Sequence, residues 1–427
     1  MKRRYFLLAS GAALAGAAFW LRPQDEGSNH SSYFMTLQRG LKEAGIGRPV
    51  MLVDEERLAS NCKLLMASLP PGRAYRIVAK SLPSVPLIER VMKLTGSNRV
   101  MVFHQPFMNA LALARPDCDM LLGKPMPVAA AYRFFQELPE DSSFNADAQL
   151  QWLVDDISRL EQYLTLARKL NRTLRINLEI DVGLHRGGLQ STQQLDACLK
   201  LIKANPGQLV FSGFMGYDAH VGKLPPMVET AQESLRKSNA IYQSFIDHLN
   251  KGFPELAKGD LCLNGAGSPT VMLHDKNTPL NELAAGSCLV KGTDFDIDSL
   301  ASFLPAAFIA TPVIKRSDGL QMPGPIPLGK AWALWDPNRR QTFFIYGGYW
   351  KARPVSPPGV RDNPMYGFST NQMMFNGSGS INLNVDDFLF LRPTQSEFVL
   401  LQFGDLAVIR DGKLQTWWPP LEQGHGA

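Results

Sequence analysis

Between residues 50 and 300 of the 427-residue chain, short apolar runs alternate with amphipathic stretches, and this alternation constrains the fold more than any other feature. An initial strand is expected at 50–53, with Asp54 capping a helix over 55–67. Eight further strands are expected at 75–78, 100–103, 120–122, 143–145, 174–180, 209–215, 261–264 and 288–290. Amphipathic helices are expected between them at 85–94, 150–170, 193–203 and 230–249. Parallel strands need a crossover connection, and a helix of this length supplies one. Eight alternating strands and helices predict an α/β fold, a closed (β/α)8 TIM barrel. The alternative is an open doubly wound sheet. No GxGxxG follows the first strand, so a dinucleotide-binding version has no support.

After residue 300 the texture changes. Prolines at 305, 312, 323, 325 and 327 interrupt the chain, and aromatic runs replace the helical pattern. Strands are expected at 332–335, 342–346, 388–391, 398–401 and 406–409, with 351–384 a long Pro- and Gly-rich loop. The predicted organisation is a leader (1–22), a linker with one helix at 33–43 (23–47), a barrel (48–300), and a C-terminal β-rich domain with a proline-rich insert (301–427).

A net charge of +5 without runs of Lys or Arg excludes a nucleic-acid surface. Cys62, Cys118, Cys198, Cys262 and Cys288 are dispersed, odd in number and free of CxxC spacing, which argues against a disulfide framework or a structural zinc. At the N-terminus, Arg3-Arg4-Tyr5-Phe6-Leu7-Leu8 opens an apolar run that reaches Leu21, similar to a twin-arginine export signal. Periplasmic export is expected, with a short uncleaved membrane anchor as the alternative.

The chemistry is expected at the C-terminal ends of the barrel strands. Lys80 closes an apolar run, Ile77-Val78-Ala79, ahead of a Ser- and Pro-containing turn. Such a lysine either reaches water or is desolvated to the neutral amine that forms Schiff bases. Glycines 183, 187 and 188 let the backbone turn tightly around Arg186, whose fixed charge suits a phenolate or carboxylate unless Asp181 takes it. Tyr217 and His220 follow the next strand, and the histidine is open between a core role and a site role. Asn264-Gly265-Ala266-Gly267-Ser268-Pro269-Thr270, after the seventh barrel strand, has the small residues and hydroxyls of a phosphate cradle.

In their order, Lys80, Glu179-Ile180-Asp181-Val182-Gly183-Leu184-His185-Arg186-Gly187-Gly188, Gly216-Tyr217-Asp218-Ala219-His220, Gly265 to Thr270 and Gly286-Ser287 resemble the D-threonine aldolase / D-serine dehydratase family. Its members are pyridoxal 5'-phosphate enzymes with an alanine racemase-type barrel (fold type III). The resemblance covers roughly 45–415. It implies that Lys80 forms the Schiff base with the cofactor, that Arg186 contacts its phenolate, and that the 265–270 turn holds its phosphate. Tyr217 and His220 would line its ring, and strand 50–53 would join the C-terminal domain.

The family's divalent metal pair falls on Gln395 and Glu397, where an amide and a carboxylate replace better zinc ligands. A two-residue step in a strand would still put both on one face. Cys288 stands where the family often has Tyr. The expected function is a lyase acting on D-β-hydroxy amino acids, with Lys80 and His220 as catalytic candidates. The alternatives are an amino-acid racemase, with Cys288 or His104 as the opposite base, and a non-catalytic cofactor-binding protein. The expected partners are a small-molecule amino acid and, as an assembly, a homodimer.

Overall fold

The computed structural model describes residues 22–320, 328–363, 365 and 367–424. The expected leader, apart from its last residue Arg22, lies outside them. Among the described residues no helix is long and apolar enough to cross a membrane. The chain divides into two compact units, and the division is not a single cut. One unit holds Val53–Ala307, Gln395–Leu406 and the chain from Trp417 on; the other holds residues up to Leu52, Phe308–Thr394 and Ala407–Thr416.

Strand β1 (Val50–Asp54) precedes the barrel. The barrel strands are β2 (Ala74–Val78), β3 (Arg99–Val102), β4 (Asp119–Leu122), β5 (Leu150–Val154), β6 (Leu174–Glu179), β7 (Leu209–Gly216), β8 (Cys262–Gly265) and β9 (Glu282–Ala285). They pair in sequence order, all parallel, and β2 closes the ring on β9 through Ala74 to Ile77 against Glu282 to Ala285. The expected (β/α)8 barrel is the fold found.

Two of its strands differ from the expected positions. The fourth is Leu150–Val154, not 143–145, because Asp156 starts the next helix by accepting the Arg159 N–H. Leu150-Gln151-Trp152-Leu153 satisfies both a strand and the first turn of a helix, and the cap decides between them. The eighth is Glu282–Ala285, and 288–290 lies in the short helix Ser287–Val290. Glu-Leu-Ala-Ala has poor intrinsic strand preference, and pairing on both sides selects it.

The barrel interior near its N-terminal end is charged. Arg76, fully buried, pairs with Glu282 and with Asp119, and Arg99 also meets Glu282, at 2.6 Å. Burial alone would raise the Glu282 carboxyl; Arg76 and Arg99 outweigh it and hold it at about 2.

The second unit is built on a nine-stranded sheet in the order β13-β14-β11-β10-β1-β16-β17, with β15 joined to β10 and β12 to β15. Its strands are β1, β10 (Ala307–Asp318), β11 (Gln341–Ile345), β12 (Ala352–Ser356), β13 (Arg361–Asp362), β14 (Met374–Gly377), β15 (Phe388–Pro393), β16 (Leu406–Arg410) and β17 (Lys413–Trp418). Strand β1 thus belongs to this sheet. Phe343, Phe375, Phe388 and Phe390 form its core, and the helix Ser32–Glu43 buries Leu37 and Leu41. The expected loop 351–384 contains β12, β13 and β14 instead; β12 pairs on one side only, where Pro354 is tolerated. The expected strand 332–335 is helical, within Leu328–Trp335, and the expected strand 398–401 falls on the end of the short helix Ser396–Val399 and the turn after it. Short apolar runs do not by themselves separate strand from helix.

Candidate active site

A cavity opens at the C-terminal ends of the barrel strands, lined by Lys80, Arg186, Tyr217, Asn264, Ser268 and Glu397 among others. Lys80 sits in a single 3-10 turn, Ala79–Ser81, just beyond β2. Its side chain is 40% exposed, so the desolvated strand end is not the environment found. Its Nζ lies 3.0 Å from Glu397 Oε1 and 4.8 Å from the centre of the Phe103 ring. Ser81 Oγ donates to the same carboxylate oxygen at 3.2 Å and meets Ser287 Oγ at 2.8 Å.

The loop after β6 separates two neighbours. Asp181 accepts the N–H groups of Gly183 and His185 and meets the His185 ring at 2.8 Å. Burial opposes its ionisation, yet these hydrogen bonds hold it below the usual carboxylate range. Asp181 is therefore taken by His185, and Arg186 lies over the Tyr217 ring, 4.8 Å from its centre. Burial raises the Tyr217 phenol while Arg186 opposes the rise.

The turn after β8 is held from beneath. Asn264 Nδ2 donates to Glu282 Oε1 at 2.8 Å, which leaves Asn264 Oδ1 buried without a partner. Ala266 takes the left-handed conformation (φ 65°), costly for a residue with a Cβ but suited to converging N–H groups on an anion. Ser268 Oγ accepts the N–H groups of Cys288 (3.0 Å) and Gly286 (3.3 Å), which fixes the hydroxyl at the cavity wall. Gly265 and Gly267 are packed tightly: a Cβ at either would lie 2.6 Å from Leu280 Cδ1 or Tyr217 Cε2. Thr270, expected to face the anion, instead donates to Asp218 Oδ1 at 2.7 Å and accepts the Gly267 N–H. Asp218 Oδ2 in turn meets His274 Nε2 at 2.9 Å, and His274 Nδ1 meets Thr278.

Lys80, Arg186, Tyr217, Asn264, Gly267 and Ser268 are thus brought together, with Gly265 directly beneath, while His220 does not line the cavity. Its Nε2 meets Ser238 Oγ at 3.2 Å and rests against Gly183, with Nδ1 buried and unpaired. Cys288 is fully buried, its thiol pushed up to about 12, and His104 lines a different cavity.

The expected metal pair does not share a face. Gln395 precedes the short helix Ser396–Val399 and donates to Asp294, whereas Glu397 turns to Lys80. Among the described residues no group of three His, Cys, Asp or Glu is placed to hold a metal ion, so these two residues do not fit one. Phe103, Ser81 and His274 do not stand out in the sequence as site residues, and Ser287 and Asp218 enter it only within the motifs Gly286-Ser287 and Gly216-Tyr217-Asp218-Ala219-His220, with no role assigned. Phe103 has a detectable signal, since it follows β3 as Lys80 follows β2; His274 belongs to no local pattern.

The residues do fit pyridoxal phosphate. A primary amine, a guanidinium over an aromatic ring, a serine hydroxyl, a left-handed turn and an unpartnered buried amide oxygen converge on one space.

Comparison with known proteins agrees with this arrangement. No curated protein sequence matches the chain. Among solved structures, D-threo-3-hydroxyaspartate dehydratase from Delftia sp. HT23 is similar with a TM-score of 0.66 at 16% identity, over 95% of this chain and 100% of that one. D-threonine aldolase from Filomicrobium marinum gives 0.65 at 16% identity, over 88% and 97%. Alanine racemase from Bacillus anthracis gives 0.63 at 14%, over 88% and 98%. These likenesses speak for the fold. The sequence profile of the alanine racemase N-terminal domain matches residues 53–294, more than half of the sequence, and the chain belongs to that family, the fold type III barrel of pyridoxal phosphate enzymes.

Proposed function

We propose that the protein is a pyridoxal phosphate-dependent lyase that removes the β-hydroxyl of D-β-hydroxy amino acids. The observation that carries this is the 3.0 Å pair of Lys80 Nζ and Glu397 Oε1 inside the cavity. The cofactor, when bound, supplies an electron sink for the bonds at the substrate Cα. Arg186 and Tyr217 would hold its ring, and Ser268 with the turn around Gly265 and Gly267 would hold its phosphate. Lys80 takes the Cα proton. It then stands close enough to Glu397 to pass that proton across, and Glu397 delivers it to the departing hydroxyl. The hydroxyl leaves as water, and the unsaturated amine hydrolyses to a 2-oxo acid and ammonium. No metal is needed to balance these steps. The solved relatives named for D-threonine aldolase and D-threo-3-hydroxyaspartate dehydratase support the substrate class by likeness of fold. The export signal expected at residues 1–22 would direct this activity to an exported pool.

A racemase needs a base on the opposite face of Cα. Neither Cys288 nor His104, the two candidates for that role, lines the Lys80 cavity.

The test is product analysis on the cofactor-loaded protein with a panel of D-β-hydroxy amino acids, with and without a chelator. A 2-oxo acid with ammonium is expected, unaffected by the chelator, and Glu397→Gln should slow its formation roughly 10²–10⁴-fold while the bound cofactor's absorbance persists. Glycine with an aldehyde would mean cleavage of Cα–Cβ instead. Racemisation without elimination, or no turnover of any D-amino acid, would overturn the lyase.

A further inference from the structure

Nothing in its own element fixes Glu397. It sits in a helix of only four residues, Ser396–Val399, which no side chain caps, and its carboxylate is 33% exposed beside a lysine that is 40% exposed. A pair this open gains little from its charges, and both side chains lose rotamer freedom to form it. The constraint comes from elsewhere. Ser81, 1% exposed and next to Lys80 in the same turn, donates its Oγ proton to Glu397 Oε1, the oxygen that Lys80 also meets. A serine has one proton to give, so the 2.8 Å contact between the two serines must be donated by Ser287. Ser287, also buried, has no other acceptor among the described residues. Gly286 makes this approach possible, since a Cβ there would lie 2.7 Å from Val78 O and 3.0 Å from Ser81 Cβ. Ser268 Oγ fixes the backbone on both sides of Ser287 by accepting the N–H groups of Gly286 and Cys288. The hydrogen bonds thus run one way, from Ser287 through Ser81 to Oε1. A carboxylate oxygen has two lone pairs; Ser81 takes one, and the other is left facing Lys80.

We propose that Ser81 and Ser287 are positioning residues for the proton transfer between Lys80 and Glu397. Ser81 holds Oε1 against Lys80, and Ser287 acts only through Ser81, by directing its proton. Neither serine gains or loses a proton in the reaction. The inference rests on the lyase reading for the use made of Glu397, and on the hydrogen bonds alone for its position.

The experiment follows release of a 2-oxo acid from D-threonine by the full-length, cofactor-loaded protein. Crystal structures of the wild type and Ser81→Ala add a readout that needs no turnover. Ser81→Ala should lower kcat roughly tenfold and leave KM within about twofold, because the serine serves the proton transfer and not substrate binding. Ser81→Thr, which keeps a hydroxyl, should recover most of the loss. Ser287→Ala should lower kcat by less, and the double variant Ser81→Ala/Ser287→Ala should be no slower than Ser81→Ala alone. In a Glu397→Gln background, Ser81→Ala should change kcat by less than about twofold. An unchanged kcat, an equal fall in both backgrounds, or additive losses from the two serines would overturn the relay. In the crystal, Glu397 should turn away from Lys80 in Ser81→Ala. That result supports the positioning even where the wild type eliminates nothing, an outcome that counts against the lyase alone. A Glu397 that keeps its contact with Lys80 in Ser81→Ala would overturn the positioning, whatever the wild type turns over. If Ser81→Thr fails to fold, the crystal comparison and Ser287→Ala still decide.

Discussion

Glu179 closes β6 with its carboxyl buried. Burial, reinforced by Asp155, raises that carboxyl to about 7 against the opposing charge of Arg186. Its ordinary value is 4.5, so between those two values the folded protein keeps a proton that the unfolded chain releases. Stability from this group is complete below about 4.5 and is lost as pH rises through about 7. Glu179→Gln should flatten the fall in urea midpoint between those values, a difference of roughly 3 kcal/mol if the whole shift is realised. Equal slopes in the two proteins would remove Glu179 from this role. Gly267 makes a second point at the same scale. Its sequence context suggests room for a phosphate, but a Cβ there meets Tyr217 first, at 2.6 Å. Gly267→Val should therefore displace the Tyr217 ring, costing about 1–3 kcal/mol of stability and weakening cofactor binding together. Lost cofactor affinity with an unchanged melting temperature would instead favour direct obstruction of the phosphate.

The turn after β8 is an element whose shape is set elsewhere in the chain. Asp218, from the loop after β7, reaches Thr270 at 2.7 Å and His274 at 2.9 Å, all three side chains buried. His274→Ala would leave the Asp218 carboxylate buried with one partner fewer. The expected loss is about 1–3 kcal/mol in denaturant unfolding, together with weaker cofactor binding. Unchanged affinity in a destabilised variant would show that the turn keeps its shape without the pair. Elements also mark how far the sequence is legible. Most barrel strands, and the ends carrying Lys80, Arg186 and Tyr217, stand out because a Val- and Ile-rich run followed by a Gly or Ser turn has one reading. Leu150–Val154 and Glu282–Ala285 do not, because a cap in one case and two-sided pairing in the other decide them. His274 and the Lys80–Glu397 pair are illegible for a different reason: Glu397 is 317 residues from Lys80 in the chain, beyond any local pattern.

At the scale of the molecule, the barrel unit draws its parts from three stretches of chain, and Gln395–Leu406 brings the carboxylate that faces Lys80. The charged interior layer carries the same logic downward, since Glu282 joins Arg76 and Arg99 to Asn264 at the cavity. A lyase, a racemase and a non-catalytic cofactor-binding protein would all depend on Lys80 as the residue that binds the cofactor covalently. The most direct measurement is the absorbance of the purified, cofactor-loaded protein before and after borohydride, in the wild type and in Lys80→Ala. The wild type should show a band at roughly 410–430 nm that borohydride removes, fixing the cofactor to the chain at Lys80, and the variant should show neither the band nor the covalent label. A borohydride-reducible band that survives in Lys80→Ala would contradict the account at its centre.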